Sequence, residues 1–335
     1  MVQENVIARS SWWTLWRCAR YGPTKSRRSM MGEAHPGPRL LATSGGRLEV
    51  VIRDEVLIRD EPDQPGAPAL YFHGGHESAT TAPASDLYLE LGYPVVLVSR
   101  PGYGHTDVGP LSPAAFAPLV DEARAMLGID AFTAVIGISF GGPQAVEYAG
   151  RYSARTRALI LHSAGPSTLP YPDSAVQRLL GPVMFHPLVE QHVWRAVGFL
   201  LRHAPRLGLR LMMSALSTEP VSTWLPLLDE ADHQAMRDVL AGLRSGHGFV
   251  TDLSYASTSH RQIRRTAQQR VTCPTLVTAS RHDRGVAWAH AEDLAATIPR
   301  ARLEELPAPS HVFWLGPARA HLLTTTRDFL ATLPD

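Results

Sequence analysis

The chain has 335 residues, 44% of them hydrophobic and 19% charged, a composition that excludes a disordered protein and leaves room for one large α/β domain with an insertion. A formal net charge of +1 argues against nucleic acid as the main partner, and no continuous run approaches the roughly 18 apolar residues that span a bilayer. Cys18 and Cys273 are too few for a disulfide framework and too isolated for a metal site. The resulting expectation is a cytoplasmic protein with no metal and no cofactor, acting on a small molecule; its oligomeric state is not written in the composition.

Charge is unevenly spread. Residues 1–47 hold eight Lys or Arg against Glu4 and Glu33, so the remainder carries 24 basic and 29 acidic residues. Residues 1–45 read as an N-terminal extension, poorly ordered and outside the fold. Trp12, Trp13, Leu15 and Trp16 form too short an apolar face for a membrane-surface helix and lack the unbroken core of a secretory signal. Met30 and Met31 stand just before the globular sequence.

From about Gly46, strand-like and helix-like segments alternate, the pattern of an open, mostly parallel sheet with helices on both faces. Arg47 to Ile52 and Glu55 to Arg59 read as an antiparallel edge hairpin. Six further strands are expected at Ala69 to Phe72, Pro94 to Val98, Thr133 to Ile138, Ala158 to Leu161, Thr275 to Ala279 and Leu303 to Leu306, eight in all. Ser112 to Leu127 is the clearest helix, with Ser112 as N-cap, Pro113 in the first turn and Gly128 as terminator. Pro143 to Tyr152, Val286 to Ile298 and Val312 to Leu333 are others, the last interrupted near Gly316-Pro317. Between Ser163 and Arg270 the rhythm breaks. Helical periodicity continues there without strands, cut by Pro182, Pro187, Pro205, Pro220 and Pro226. This stretch reads as a helical cap inserted after the sixth strand, with the core at 46–166 and 271–335 and the cap at 167–270.

Ser139 lies at the centre of Gly137-Ile138-Ser139-Phe140-Gly141, between the strand ending at Ile138 and the helix that follows. A serine hydroxyl is well presented for attack on a sharp strand-to-helix turn, where side chains two residues either side would strike the neighbouring backbone; glycine removes that obstacle. Such a nucleophile needs a base, an acid to orient it and donors for the oxyanion. Asp283, in the loop after the strand Thr275 to Ala279, is the candidate acid. His311, after the last strand and opening the last helix, is the candidate base. Phe72-His73-Gly74-Gly75-His76 ends the third strand with glycines, so the N–H of Phe140 plus that of Gly75 or His76 are the candidate oxyanion donors. His162 could line the pocket, whereas His282 reads as a loop residue and Asp130 as a turn residue.

These residues together resemble the α/β-hydrolase superfamily, from about Gly46 to Pro334. The elbow Gly137 to Gly141, His73-Gly74, Arg100-Pro101-Gly102-Tyr103-Gly104-His105-Thr106, Asp283 and His311 match its pattern in order. The resemblance implies an eight-stranded, mostly parallel sheet flanked by helices, with a helical cap over a Ser139-Asp283-His311 triad. Ser139 separates the chain from the dehalogenases and epoxide hydrolases of that superfamily, which use aspartate at the elbow. His76, where proline iminopeptidase-like members have Pro-Gly, weakens a peptidase reading. Carboxylester hydrolysis is the broadest fit; amidase, C–C hydrolase, lyase and perhydrolase chemistry on the same triad, or ligand binding without catalysis, remain the alternatives. Phe185, Trp194, Phe199, Leu200, Leu201, Met212, Met213 and Trp224 suggest an apolar pocket or the cap's own core. Arg195, Arg202, Arg206 and Arg210 suggest attraction of an acidic substrate or a solvated helix face.

Overall fold

The computed structural model describes residues 37–53, 67–172 and 187–333. The expected strand Glu55 to Arg59, residues 1–36 of the expected extension, Pro182 and Phe185 lie outside them. Eight strands form one sheet: β1 (Arg39–Thr43), β2 (Gly46–Arg53), β3 (Ala69–Phe72), β4 (Val95–Val98), β5 (Ala134–Ile138), β6 (Leu159–His162), β7 (Thr275–Ala279) and β8 (Ala301–Glu305). Their order is β1-β2-β4-β3-β5-β6-β7-β8. β2 runs antiparallel to β1 and β4, and the six strands from β4 to β8 are mutually parallel.

Successive side chains of a strand point to opposite faces, and helices cover both. Leu70, Phe72, Val96, Val98 and Val135 meet α2 (Pro113–Met126) and α3 (Gly142–Arg151) on one face. Ala69, Tyr71, Val95, Leu97, Ala134 and Ile136 face α1 (Ser85–Glu90) and the last helix on the other. With both faces buried, β3 to β5 are unbroken apolar runs, as is β6 up to His162, rather than alternating ones. α2 is bounded as its sequence dictates. The Ser112 side chain accepts the Ala115 N–H at 3.3 Å, Pro113 opens the first turn, and Gly128 takes φ 69° beyond the end.

Helices fill the described part of the β6–β7 crossover: α4 (Pro187–His203), α5 (Pro205–Leu216), α6 (Val221–Trp224), α7 (Glu230–Gly242), α8 (Gly248–Ala256) and α9 (Arg261–Gln269). Trp194, Leu201, Met213 and Trp224 pack with Met236 and Leu240 into a core of the insertion's own, joined by Val312 and Leu315 from the segment after β8. Phe199 is 58% exposed. The flanking helix α10 (Trp288–Thr297) precedes β8, and α11 (Gly316–Leu330) closes the fold. Among the described residues no helix is long and apolar enough to cross a membrane.

Three boundaries differ from the sequence expectation. The edge hairpin is β1 with β2, pairing Arg39 with Val50 and Thr43 with Gly46. It therefore draws Arg39–Thr43 out of the expected extension. This strand is an edge whose residues alternate between half-buried and exposed, so it carries no apolar run to announce it. α9 lies within the stretch assigned to the insertion, yet Ala267 belongs to the sheet's core and Arg270 pairs with Glu147 of α3 at 2.7 Å; the sheet-flanking layer thus resumes at Arg261. Finally α11 begins at Gly316, where φ is 57° and Pro317 sets the first turn. His311 therefore sits in a loop instead of opening a helix.

Candidate active site

β5 ends at Ile138, and Ser139 takes φ 48°, a left-handed backbone that residues other than glycine seldom adopt. The strain is held in place by what surrounds the turn. A Cβ on Gly141 would stand 2.1 Å from the Phe72 carbonyl oxygen, and one on Gly137 would stand 2.8 Å from Ala145, Gly141 and Gly142 at once. The strand, the turn and α3 thus approach more closely than any side chain allows. Ser139 itself is buried, 8% exposed.

Asp283 and His311 are brought together across 28 residues of sequence. His311 Nδ1 donates to Asp283 Oδ2 at 2.8 Å, and the other carboxylate oxygen accepts the Val286 N–H, also at 2.8 Å. Asp283 is 2% exposed. Burial opposes a charge on His311, but the Asp283 carboxylate, its hydrogen bond and the more distant Glu77 together hold the imidazole above its ordinary value. The insertion clamps both loops, because the Leu216 carbonyl at the end of α5 accepts the N–H of His311 at 2.9 Å and of Arg284 at 3.3 Å.

The strap His73-Gly74-Gly75-His76 follows β3, whose Phe72 is in register with Gly137 of β5. That register sets the strap beside the elbow: a Cβ on Gly74 would lie 3.4 Å from the Ser139 Cβ and 3.2 Å from a Glu77 carboxylate oxygen. Glu77 accepts the Gly74 N–H at 2.8 Å, and burial pushes its carboxyl up to about 7. Sequence reasoning passed over this residue, since a lone glutamate past a glycine turn reads as solvated. His76, a candidate donor through its N–H, has φ 65° and hands its carbonyl to the Arg244 N–H at 2.7 Å. Its ring meets Ser245 Oγ at 2.7 Å and packs on Phe249, and burial pushes it down to about 3. Phe140, Phe249 and Tyr171 form an aromatic group against Gly75 and the elbow.

Other sequence candidates fall elsewhere. His162 is buried, with Nε2 on the Tyr88 hydroxyl and Nδ1 on Thr278 Oγ1, both at 2.7 Å. It locks two neighbouring strands to α1. His282 pairs with Glu219 at 3.2 Å. Arg195 and Arg202 line a cleft of about 690 Å³ with Arg237 and Arg244, and Arg206 and Arg210 line another of about 790 Å³. Ser139, Asp283 and His311 line neither. Among the described residues no three His, Cys, Asp or Glu side chains converge as metal ligands do.

The fold is one that comparison with known proteins finds again, a sheet of this order with a serine held in a strained turn between β5 and α3. A sequence profile for the alpha/beta hydrolase fold matches residues 63–317. The uncharacterized hydrolase YcgS of Bacillus subtilis (strain 168) is 32% identical over 290 residues, covering 85% of this chain and 98% of that protein. Among solved structures, an alpha/beta hydrolase fold protein from Nakamurella multipartita superposes with a TM-score of 0.68 at 22% identity, covering 88% of this chain and 99% of its own. The enol-lactonase from Burkholderia xenovorans LB400 gives 0.60 at 20% identity, with 88% and 100% covered. The chain belongs to the alpha/beta hydrolase fold family, a family of hydrolases.

Proposed function

We propose that the protein is a serine hydrolase that cleaves a carboxylic ester of a small, apolar substrate through an acyl-enzyme. The observation that carries this reading is the 2.8 Å bond from His311 to Asp283, beyond the carboxyl ends of the same parallel strands after which Ser139 is held in its left-handed turn. His311 takes the hydroxyl proton as Ser139 Oγ attacks the carbonyl carbon. The N–H groups of Phe140 and of Gly75 or His76 receive the oxyanion. The C–O bond to the alcohol breaks as the oxyanion collapses, and His311 returns its proton to the leaving oxygen. Water then attacks the acyl-enzyme, giving a proton to His311, and the acid departs with Ser139 restored. No step calls for a metal or a cofactor.

The helical insertion serves as a cap in this reading, and the group Phe140, Phe249 and Tyr171 favours an apolar acyl chain. A lactone is a cyclic ester, so the name of the Burkholderia protein fits the same chemistry. The test is Ser139→Ala against p-nitrophenyl esters of increasing acyl length, with fluorophosphonate labelling of the wild type. The expected loss is about 10⁴- to 10⁶-fold in kcat. Turnover by Ser139→Ala near the wild-type rate would remove Ser139 from the mechanism.

A further inference from the structure

Among the described residues Arg100 is the largest fully buried side chain, 0% exposed, and its guanidinium hydrogen-bonds to the strap and to the insertion. Its Nε donates to the His73 carbonyl at 3.0 Å and its Nη2 to the Gly74 carbonyl at 2.9 Å. Its Nη1 reaches Asp252 of α8 at 2.6 Å, and its own main-chain N–H donates to His73 Nε2 at 3.0 Å. The guanidinium lies over the Tyr103 ring at 4.6 Å, and the Tyr103 hydroxyl donates to the other oxygen of Asp252 at 2.6 Å.

The geometry has a chemical consequence. In a trans peptide the carbonyl of one residue and the N–H of the next point in opposite directions within one plane. Holding the Gly74 carbonyl on Arg100 therefore fixes where the Gly75 N–H points, and holding the His73 carbonyl fixes the Gly74 N–H on Glu77. Two successive planes of the strap are thus held by one guanidinium, with the His73 ring Nδ1 also on the Gly74 carbonyl at 2.7 Å. A guanidinium cannot shed its charge, so its place in a dry interior depends on the carboxylate beside it. Burial pushes the Asp252 carboxyl up, and the Arg100 charge with the two hydrogen bonds pulls it back.

We propose that Asp252, in the helical insertion, is a positioning residue for the oxyanion donor at Gly75, acting through Arg100. The proposal rests on the reading of Ser139 as nucleophile. It makes α8 part of the catalytic apparatus rather than only a cover. The contact is closely built: Gly248, at the start of α8, lies against Tyr103 so tightly that a Cβ there would stand 2.2 Å from the ring, and its N–H donates to the Gly102 carbonyl at 3.2 Å. Phe249, the next residue, packs on Gly75 itself, 3.0 Å from where its Cβ would be.

The test is Asp252→Asn in the full chain, with Asp252→Glu and Tyr103→Phe beside it. For Asp252→Asn, kcat on p-nitrophenyl acetate should fall about 10- to 100-fold with KM within about threefold, the split expected when a donor acts in the transition state. Affinity for phenylboronic acid, which forms a tetrahedral adduct on Ser139, should fall in parallel. Asp252→Glu should recover part of kcat, and Tyr103→Phe, which keeps the ion pair, should lose less than about tenfold. Hydrogen exchange over residues 72–78 should quicken in Asp252→Asn, a readout independent of turnover. If Asp252→Asn does not fold, Asp252→Glu, which keeps the charge but displaces the carboxylate from Arg100 and Tyr103 by one methylene, carries the same kcat and exchange tests. A kcat within twofold of wild type, in a protein whose Ser139→Ala form is inactive, overturns the positioning role and leaves the nucleophile reading standing. Activity persisting in Ser139→Ala overturns the nucleophile reading instead, and unchanged exchange over 72–78 then overturns the positioning role separately.

Discussion

Replacing Asp283 by asparagine changes one atom, and the structure dictates the result. The carboxylate has two occupied oxygens, one accepting the Val286 N–H and the other accepting from His311 Nδ1. An asparagine that keeps its carbonyl on Val286 turns its NH₂ toward His311. Nδ1 must then be the acceptor, which leaves the ring proton on Nε2, where the base needs a lone pair for the Ser139 proton. The flipped amide restores the tautomer but sets two donors, NH₂ and the Val286 N–H, against each other in a buried site. An unsatisfied buried donor costs about 1–3 kcal/mol, so only about one molecule in six to one in 160 holds the productive arrangement. Loss of the charge that supports the imidazolium multiplies this, for a total near 10³- to 10⁴-fold in kcat/KM. The assay is hydrolysis of p-nitrophenyl acetate at a pH where wild-type His311 is neutral, with a thermal melt to establish that the variant is folded. A folded Asp283→Asn within fivefold of wild type would refute the reasoning, because neither amide orientation permits it.

Three further expectations follow from the same geometry. Because Asp283 and Glu77 outweigh burial and hold His311 above its ordinary value, and the base must be neutral to act, kcat/KM should fall as pH drops through a point above the usual histidine range near 6.5; a midpoint below 6 in the pH–rate profile would contradict it. Burial pushes the Glu77 carboxyl up to about 7 from the ordinary glutamate value of 4.5, so its ionisation should destabilise the protein progressively as pH rises from 4.5 through 7; urea melts should show Glu77→Gln gaining on wild type across that window, by at most about 3 kcal/mol at pH 8, whereas a gap independent of pH would exclude the effect. Gly141→Ala sets a methyl group against the backbone carbonyl of Phe72, which cannot rotate away, so melting should reveal a loss of about 1–3 kcal/mol, and esterase assays a loss of most activity; a variant as stable and active as wild type would show that the turn has slack.

Much of the architecture is legible in the chain because its elements are locally over-determined. β3 to β6, buried on both faces, are short apolar runs ended by turn residues. α2 announces itself through Ser112, Pro113 and Gly128. The elbow is legible since its glycines answer a steric demand made within a few residues. β1 is not, because an edge strand with one side toward solvent needs no apolar run, and the arginine-rich sequence before it resembles a tail. Arg100 and Asp252 illustrate the other limit. They stand 152 positions apart, and an aspartate on a helix reads as solvated until the fold reveals a guanidinium against it. Glu77 escapes notice for the same reason: what distinguishes it is dryness, a property of the assembled loops.

The Arg100 contact bears on how such proteins diversify. Insertions after the sixth strand are attractive units for recombination, since both ends enter the sheet at neighbouring strands and the exchanged piece has a core of its own. Here, however, a graft spanning the whole insertion would remove Asp252 and strand a permanent positive charge beneath the glycine strap. A donor segment lacking a carboxylate at that place would yield a folded chimera with a misaimed strap, easily mistaken for one that merely dislikes its substrate. The serviceable crossover points therefore lie before Gly248, with α8 kept by the recipient so that Asp252 stays with the sheet it serves, and any segment traded for α4 to α7 must supply a carbonyl in place of Leu216 for the N–H groups of His311 and Arg284.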